Sequence, residues 1–67
     1  MIRVGIDVGG TNTDAVLIEA GAVRHAVKTP TTADVTSGVL ATLRRLLEES
    51  GVAGEAVGAV MIGTVVG

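Results

Sequence analysis

The turn Asp7-Val8-Gly9-Gly10-Thr11-Asn12-Thr13-Asp14 packs two glycines, two carboxylates and two threonine hydroxyls between two strand-like runs. The preceding run, Met1-Ile2-Arg3-Val4-Gly5-Ile6, and the following one, Ala15-Val16-Leu17-Ile18, are apolar and rich in β-branched residues, so both read as strands. The turn is therefore the tip of a hairpin. Along the first run Ile2, Val4, Ile6 and Val8 alternate with Arg3, Gly5 and Asp7, which puts the apolar residues on one face of the strand. Asp7 then stands at the strand end, pointing away from Val8.

The remaining chain has the punctuation of an α/β unit. Ala20-Gly21 is a two-residue turn, and a third antiparallel strand is expected over residues 22–28. Thr29-Pro30-Thr31-Thr32 breaks that strand, and Thr31 or Thr32 is placed to accept the first free amide hydrogens of a helix over residues 33–50. Asp34 suits the positive end of its dipole. Val35, Val39, Leu40, Leu43, Leu46 and Leu47 recur on a helical period as one apolar stripe, with Arg44, Arg45, Glu48 and Glu49 on the wet face. Gly38 weakens this helix without ending it, and Gly51 is placed to be the left-handed residue just past its end. Residues 56–63 are apolar without alternation, as in a strand covered on both faces, and should run parallel to the first strand after a right-handed crossover. The order β-β-β-α-β opens a three-layer α/β domain, here with a helix on only one face. The expectation is an incomplete domain, residues 1–67 being the N-terminal portion of something larger.

Composition supports that expectation. A 67-residue domain buries only about 60% of the surface its unfolded chain exposes, and this one has no cysteine and no aromatic residue to compensate. Its 48% hydrophobic content argues against disorder, so it is expected to need further protein: the rest of a chain, a subunit or self-association. A net charge of −2 gives no basic field for nucleic acid. No apolar run reaches the roughly 18 residues that span a bilayer, and the N-terminus lacks a basic-then-apolar leader. The expected location is the cytoplasm, with which the lack of cysteine agrees.

The turn itself suggests phosphate chemistry. Small consecutive residues let amide hydrogens converge on an anionic oxygen, which Gly9 and Gly10 permit, and Thr11 and Thr13 can add hydroxyl donors. Asp7 can reach a hydrated Mg²⁺, which takes one or two carboxylates and keeps its waters. No Gly-Lys-Ser/Thr is present, and no G-x-G-x-x-G opens a helix, so neither the Walker loop nor the dinucleotide loop applies. A glycine-requiring hairpin loop is the bland alternative, and Asp14 can equally cap the turn's amides. His25, sharing a strand face with Val23 and Val27, reads as packed or edge-facing; Lys28 reads as a solvated strand end and Met61 as core.

The stretch Gly5-Ile6-Asp7-Val8-Gly9-Gly10-Thr11-Asn12-Thr13-Asp14-Ala15-Val16-Leu17-Ile18 resembles the first phosphate motif of the actin, Hsp70 and sugar-kinase superfamily. Thr13-Asp14 narrows the resemblance to the start of hydantoinase/oxoprolinase proteins, because sugar kinases of the repressor-and-kinase type more often continue with Lys and lack this Asp. Lys28-Thr29-Pro30-Thr31-Thr32 before a helix with Gly38-Val39, and a later strand ending in Gly63-Thr64, look like the same pattern. The resemblance implies a ribonuclease-H-like (actin-like ATPase) fold and an ATP- and Mg²⁺-dependent hydrolase that opens five-membered cyclic amides such as hydantoins or 5-oxoproline. In that family a substrate carbonyl oxygen is thought to be phosphorylated before water attacks the activated carbon. Carried over residue by residue, Asp7 would position Mg²⁺ or the water network, Gly9, Gly10, Thr11 and Thr13 would hold phosphate, and Asp14 would lie in the site with Asp7. The family's second phosphate loop and adenosine-binding segment have no counterpart here. Gly63-Thr64-Val65-Val66-Gly67 stands where relatives continue Gly-Thr-Thr and then Thr-Asn, so the chain is expected to be inactive alone. The alternatives are a sugar or metabolite kinase of the same superfamily and a non-catalytic truncated module.

Overall fold

A computed structural model describes residues 1–64, and the departure at positions 65–67 noted above lies outside them. Strands β1 (Ile2–Val8), β2 (Asn12–Glu19) and β3 (Ala22–Pro30) are followed by helix α1 (Val35–Ser50), a short 3₁₀ turn at Gly54–Ala56 and strand β4 (Val57–Thr64). The sheet order is β3-β2-β1-β4. β1 and β2 pair antiparallel, as do β2 and β3, whereas β1 and β4 run parallel. This is the β-β-β-α-β order expected from the sequence.

The core lies between one sheet face and α1. Val4, Ile6 and Val8 of β1, Ala15 and Leu17 of β2 and Val27 of β3 are buried there with Val39 and Leu46 of the helix. The helix lies over β3 and β2, touches β1 less, and makes no comparable contact with β4. The expected apolar stripe is therefore only partly used: Leu43 and Leu47 are half-buried, while Val35 and Leu40 are exposed. Val60, Met61 and Ile62 of β4 are exposed as well, so Met61 is not core; only the start of the strand, at half-buried Val57, packs against the core. Its continuous apolar run is the composition of a buried strand without the burial.

A polar residue takes part of the space that the stripe was expected to fill. Thr42 is fully buried; its hydroxyl donates to the Gly38 carbonyl at 2.8 Å and lies 2.8 Å from the Thr29 hydroxyl on β3. Each hydroxyl has one hydrogen, so Thr29 is the donor in that pair. Gly38 has a packing reason too, because a Cβ there would lie 2.3 Å from the Thr32 Oγ1.

The helix boundaries differ slightly from those expected. Asp34, not Thr31 or Thr32, is the N-cap: its carboxylate accepts from the Ser37 amide at 3.4 Å and the Ser37 hydroxyl at 2.7 Å. These hydrogen bonds, the hydroxyl's first, lower the Asp34 pKa below the usual aspartate range. At the other end Gly51 is left-handed (φ 75°) and its amide donates to the Leu47 carbonyl at 3.0 Å, as its position predicts.

Ala20 and Gly21 both have positive φ, 52° and 79°, the combination a two-residue hairpin turn needs to match strand twist. Just beyond the turn the β2–β3 register slips by one residue, so that Ile18 pairs with Val23 but Leu17 with His25. The extra residue at Arg24 turns Val23 to the other face and leaves His25 on the helix side with Val27, correcting the expectation that all three share a face. His25 Nε2 then lies 2.9 Å from Glu49 Oε1, and Arg45 Nε donates to Glu49 Oε2 at 2.6 Å, tying β3 to the last turns of α1.

The bond from Arg45, and secondarily that from His25, holds the Glu49 pKa below the ordinary glutamate range. A depressed carboxylate contributes stability above its unfolded-state pKa, and that contribution is lost as pH falls through the folded value. Glu49→Gln should therefore lower the thermal midpoint at neutral pH and leave it nearly unchanged below the folded value. Melting curves from neutral pH into the acid range check this, and equal displacement at all pH values would refute it.

Candidate functional site

The face of the sheet away from α1 carries the chemistry. Alternation along β1 and β2 puts Asp7 and Asp14 there, and the antiparallel register makes them direct cross-strand partners. One lateral row crosses all four strands as Gly63, Asp7, Asp14 and Lys28. Lys28 Nζ lies 3.7 Å from Asp14 Oδ1, an exposed pairing of little energetic weight. Asp7 has no ion-pair partner among the described residues. The two carboxylates share an open hollow with Gly5, Val16, Met61 and Gly63. Met61 is thus a wall of the hollow that holds both acidic site residues.

The β1–β2 loop consists of Gly9, Gly10 and Thr11. Its two glycines serve different purposes. The Gly9 amide donates to the Asn12 carbonyl at 2.9 Å and closes the loop, and a Cβ on Gly9 would approach that carbonyl oxygen to 3.0 Å. Gly9 is thus required by the loop itself, and its amide is spent. Gly10 is exposed, a Cβ there would meet no protein atom within 4 Å, and its φ lies outside the left-handed region. Among the described residues the amides of Gly10 and Thr11 and the Thr11 hydroxyl have no hydrogen-bond partner. Three donors therefore stand free at the hairpin tip.

Thr13 is placed differently from the other sequence-derived candidates. It alternates with Asp14 and is buried on the helix face with Ala15 and Leu17. Its Oγ1 is 3.1 Å from the Thr31 Oγ1, which itself donates to the Gly9 carbonyl at 2.8 Å. Thr31 has spent its only hydroxyl hydrogen on Gly9, so Thr13 must donate to Thr31. The structure thus brings Asp7 and Asp14 together beside a loop offering Gly10 and Thr11, and sets Thr13 beneath that loop. Sequence reasoning offered Thr31 or Thr32 as a helix cap; the signal that Thr31 had another place was the density of hydroxyls in Thr29-Pro30-Thr31-Thr32. Among the described residues no three His, Cys, Asp or Glu side chains gather to hold a metal ion, and no helix is long and apolar enough to cross a membrane.

Solved structures share this fold. The ROK hexokinase from Thermus thermophilus is 31% identical, with a TM-score of 0.80 over 96% of this chain and 22% of that one. The activator of the 2-hydroxyisocaproyl-CoA dehydratase from Clostridium difficile, solved with bound ADPNP, gives a TM-score of 0.82 at 23% identity, over 96% of this chain and 24% of that one. YeaZ from Pseudomonas aeruginosa gives 0.74 at 24% identity, over 98% and 30%. The chain thus spans less than a third of the length of each. Its sheet and helix are those of the ribonuclease-H-like, actin-like ATPase fold. A search of curated proteins returns no match. The family described as hydantoinase/oxoprolinase N-terminal region matches residues 3–67, nearly the whole sequence, and the chain accordingly belongs to the hydantoinase/oxoprolinase N-terminal family.

Proposed function

We propose that residues 1–67 are the N-terminal, phosphate-binding portion of an ATP-dependent hydrolase that opens five-membered cyclic amides, and that the rest of the site comes from further protein. The observation that carries this reading is the hairpin tip, where the Gly10 and Thr11 amides are unpartnered among the described residues and Gly10 is open, at the end of the strand that bears Asp7. An open loop position with unpartnered N–H donors fits the oxygens of a nucleotide phosphate, which a side chain at Gly10 would displace. Two adjacent carboxylates, one without a cationic partner, fit a hydrated Mg²⁺ through its waters. The nucleotide supplies the phosphoryl group that activates an amide carbonyl, and the cation screens the phosphate charge.

The chain's own residues act by position. Gly10 and Thr11 hold phosphate oxygens with amide hydrogens that need no rearrangement, and Thr11 adds its hydroxyl. Asp7, at the end of β1, orients the cation's water shell or an attacking water. Asp14 holds the opposite side of the same hollow and keeps Lys28 beside it. The exposed apolar surface of β4 is where further sheet is expected to pack.

A second reading, phosphoryl transfer to a sugar or metabolite hydroxyl, is favoured by the 31% identity to a hexokinase. Both reactions consume ATP but differ in product. The complete protein should release an open-chain amino acid derivative from a hydantoin or 5-oxoproline in step with phosphate, and should leave sugars unphosphorylated. A phosphorylated sugar with no ring opening would reverse the assignment.

A further inference from the structure

The segment between β3 and α1 is tied to the phosphate loop more closely than a connecting segment requires. Thr31 makes three hydrogen bonds there. Its amide donates to the Thr11 carbonyl at 2.9 Å, its hydroxyl donates to the Gly9 carbonyl at 2.8 Å, and the same hydroxyl accepts from Thr13. The carbonyls of Gly9 and Thr11 bracket the loop: the first shares its peptide plane with the free Gly10 amide, and the second lies just past the free Thr11 amide, so one residue holds both ends of the segment that carries them. Gly9 is fixed a second time by its amide bond to Asn12.

We propose that Thr31 is a positioning residue for nucleotide binding: it fixes the orientation of the Gly9-Gly10 peptide plane, and so aims the free Gly10 amide at the phosphate, while its own amide anchors the far end of the loop at the Thr11 carbonyl. This rests on the phosphate-loop reading above. A peptide plane is rigid, so holding its carbonyl oxygen fixes the direction of the N–H on the same plane. Thr31 Oγ1 on the Gly9 oxygen sets the plane that carries the Gly10 amide. The Thr31 amide on the Thr11 oxygen holds the other end of the loop, between which the Thr11 amide sits. Without the hydroxyl the Gly9 carbonyl is released, and a glycine-rich loop of three residues gains rotational freedom that phosphate binding must then remove. Thr13 contributes from below, because its hydroxyl bond selects the Thr31 rotamer that donates to Gly9.

The arrangement depends on the slip near Arg24. Were the Ile18–Val23 register continued along the strands without the bulge, Pro30, which has no amide hydrogen, would stand opposite Thr11. The slip brings Thr31 into the position where its amide and its hydroxyl reach the loop together. It also brings the β3–α1 connection into contact with the loop.

The test uses the complete protein and a non-hydrolysable ATP analogue with Mg²⁺. Thr31→Val keeps the shape and the backbone amide but removes the hydroxyl, and should weaken nucleotide affinity roughly 10-fold, the scale of losing one well-placed hydrogen bond and its ordering effect. Thr31→Ser keeps the hydroxyl and should bind within about twofold of the wild type. The KM for ATP should rise in Thr31→Val with kcat for ring opening little changed, and exchange of the hydrogen-bonded Gly9 and Thr31 amides should quicken as the loop loosens. Thr13→Val combined with Thr31→Val should be little worse than Thr31→Val alone, because both act through one relay.

Equal losses in Thr31→Ser and Thr31→Val would overturn the role of the hydroxyl, even where the valine variant folds poorly. Unchanged affinity in Thr31→Val, with Gly10→Val abolishing binding, would overturn the positioning role and leave the phosphate loop standing. Unchanged affinity in both would remove the phosphate-loop reading itself.

Discussion

Gly10→Val in the complete protein should abolish measurable nucleotide binding while leaving the melting temperature almost unchanged. The separation of the two effects follows from where the side chain would go. A Cβ at position 10 meets no protein atom within 4 Å, the residue is exposed, and its backbone is not in the left-handed region. Surface substitutions of that kind cost within about 0.5 kcal/mol of stability. The same branched side chain occupies the space above the free amides of Gly10 and Thr11. Losing two charge-assisted hydrogen bonds, each of about 1.5–3 kcal/mol, corresponds to roughly a 100-fold loss of affinity or more. Gly9→Ala is the informative contrast: its Cβ would press on the Asn12 carbonyl at 3.0 Å, so stability and binding should fall together. Calorimetric titration with a Mg²⁺-bound ATP analogue and a thermal melt on each variant check both. Full affinity in Gly10→Val would show that the open space above this residue is not where phosphate sits.

What could be read from the sequence and what could not divide along physical lines. Period-2 alternation in β1 correctly assigned Val4, Ile6 and Val8 to the core and Asp7 to the opposite face, because side-chain direction in a strand is fixed by parity alone. The Ala20-Gly21 turn was equally legible, since so few residue pairs accept two positive φ values. The bulge at Arg24 was not. Nothing local marks it, yet one extra residue redirects Val23, delivers His25 to Glu49 and brings Thr31 to the loop. Thr13 shows a related limit: hydroxyl chemistry suggested a ligand, while the parity of β2 puts it on the face opposite to Asp14, beneath the loop. The six-residue stripe on α1 showed where a helix can be apolar, but which of those positions are buried depends on the width of sheet beneath it. Here the helix lies over β3 and β2 and leaves Val60, Met61 and Ile62 of β4 bare.

The adjacency of Asp7 and Asp14 yields a second prediction of large effect, with opposite signs for stability and activity. Like charges directly opposite each other on antiparallel strands destabilise the pairing, by about 0.2–1 kcal/mol on the scale of cross-strand pairs. Asp14 recovers part of this from Lys28, whereas Asp7 has no such partner among the described residues. Asp7→Asn keeps the shape, removes the repulsion and sacrifices no ion pair, so it should raise the melting temperature slightly at low salt, with the gain fading as salt screens the pair. Asp14→Asn loses the repulsion and the Lys28 contact together and should leave stability nearly unchanged. If Asp7 orients the water shell of a bound cation or an attacking water, Asp7→Asn should also reduce ring opening by roughly 10²- to 10⁴-fold, the range for a residue that guides proton transfer. A merely structural residue would show activity and stability moving together. A slightly more stable Asp7→Asn enzyme that has lost nearly all turnover would instead identify the strained pair as one kept for its chemistry. Melting curves at two salt concentrations and steady-state ring opening with Mg²⁺·ATP decide between them, and an Asp7→Asn enzyme of undiminished activity would exclude Asp7 from the reaction.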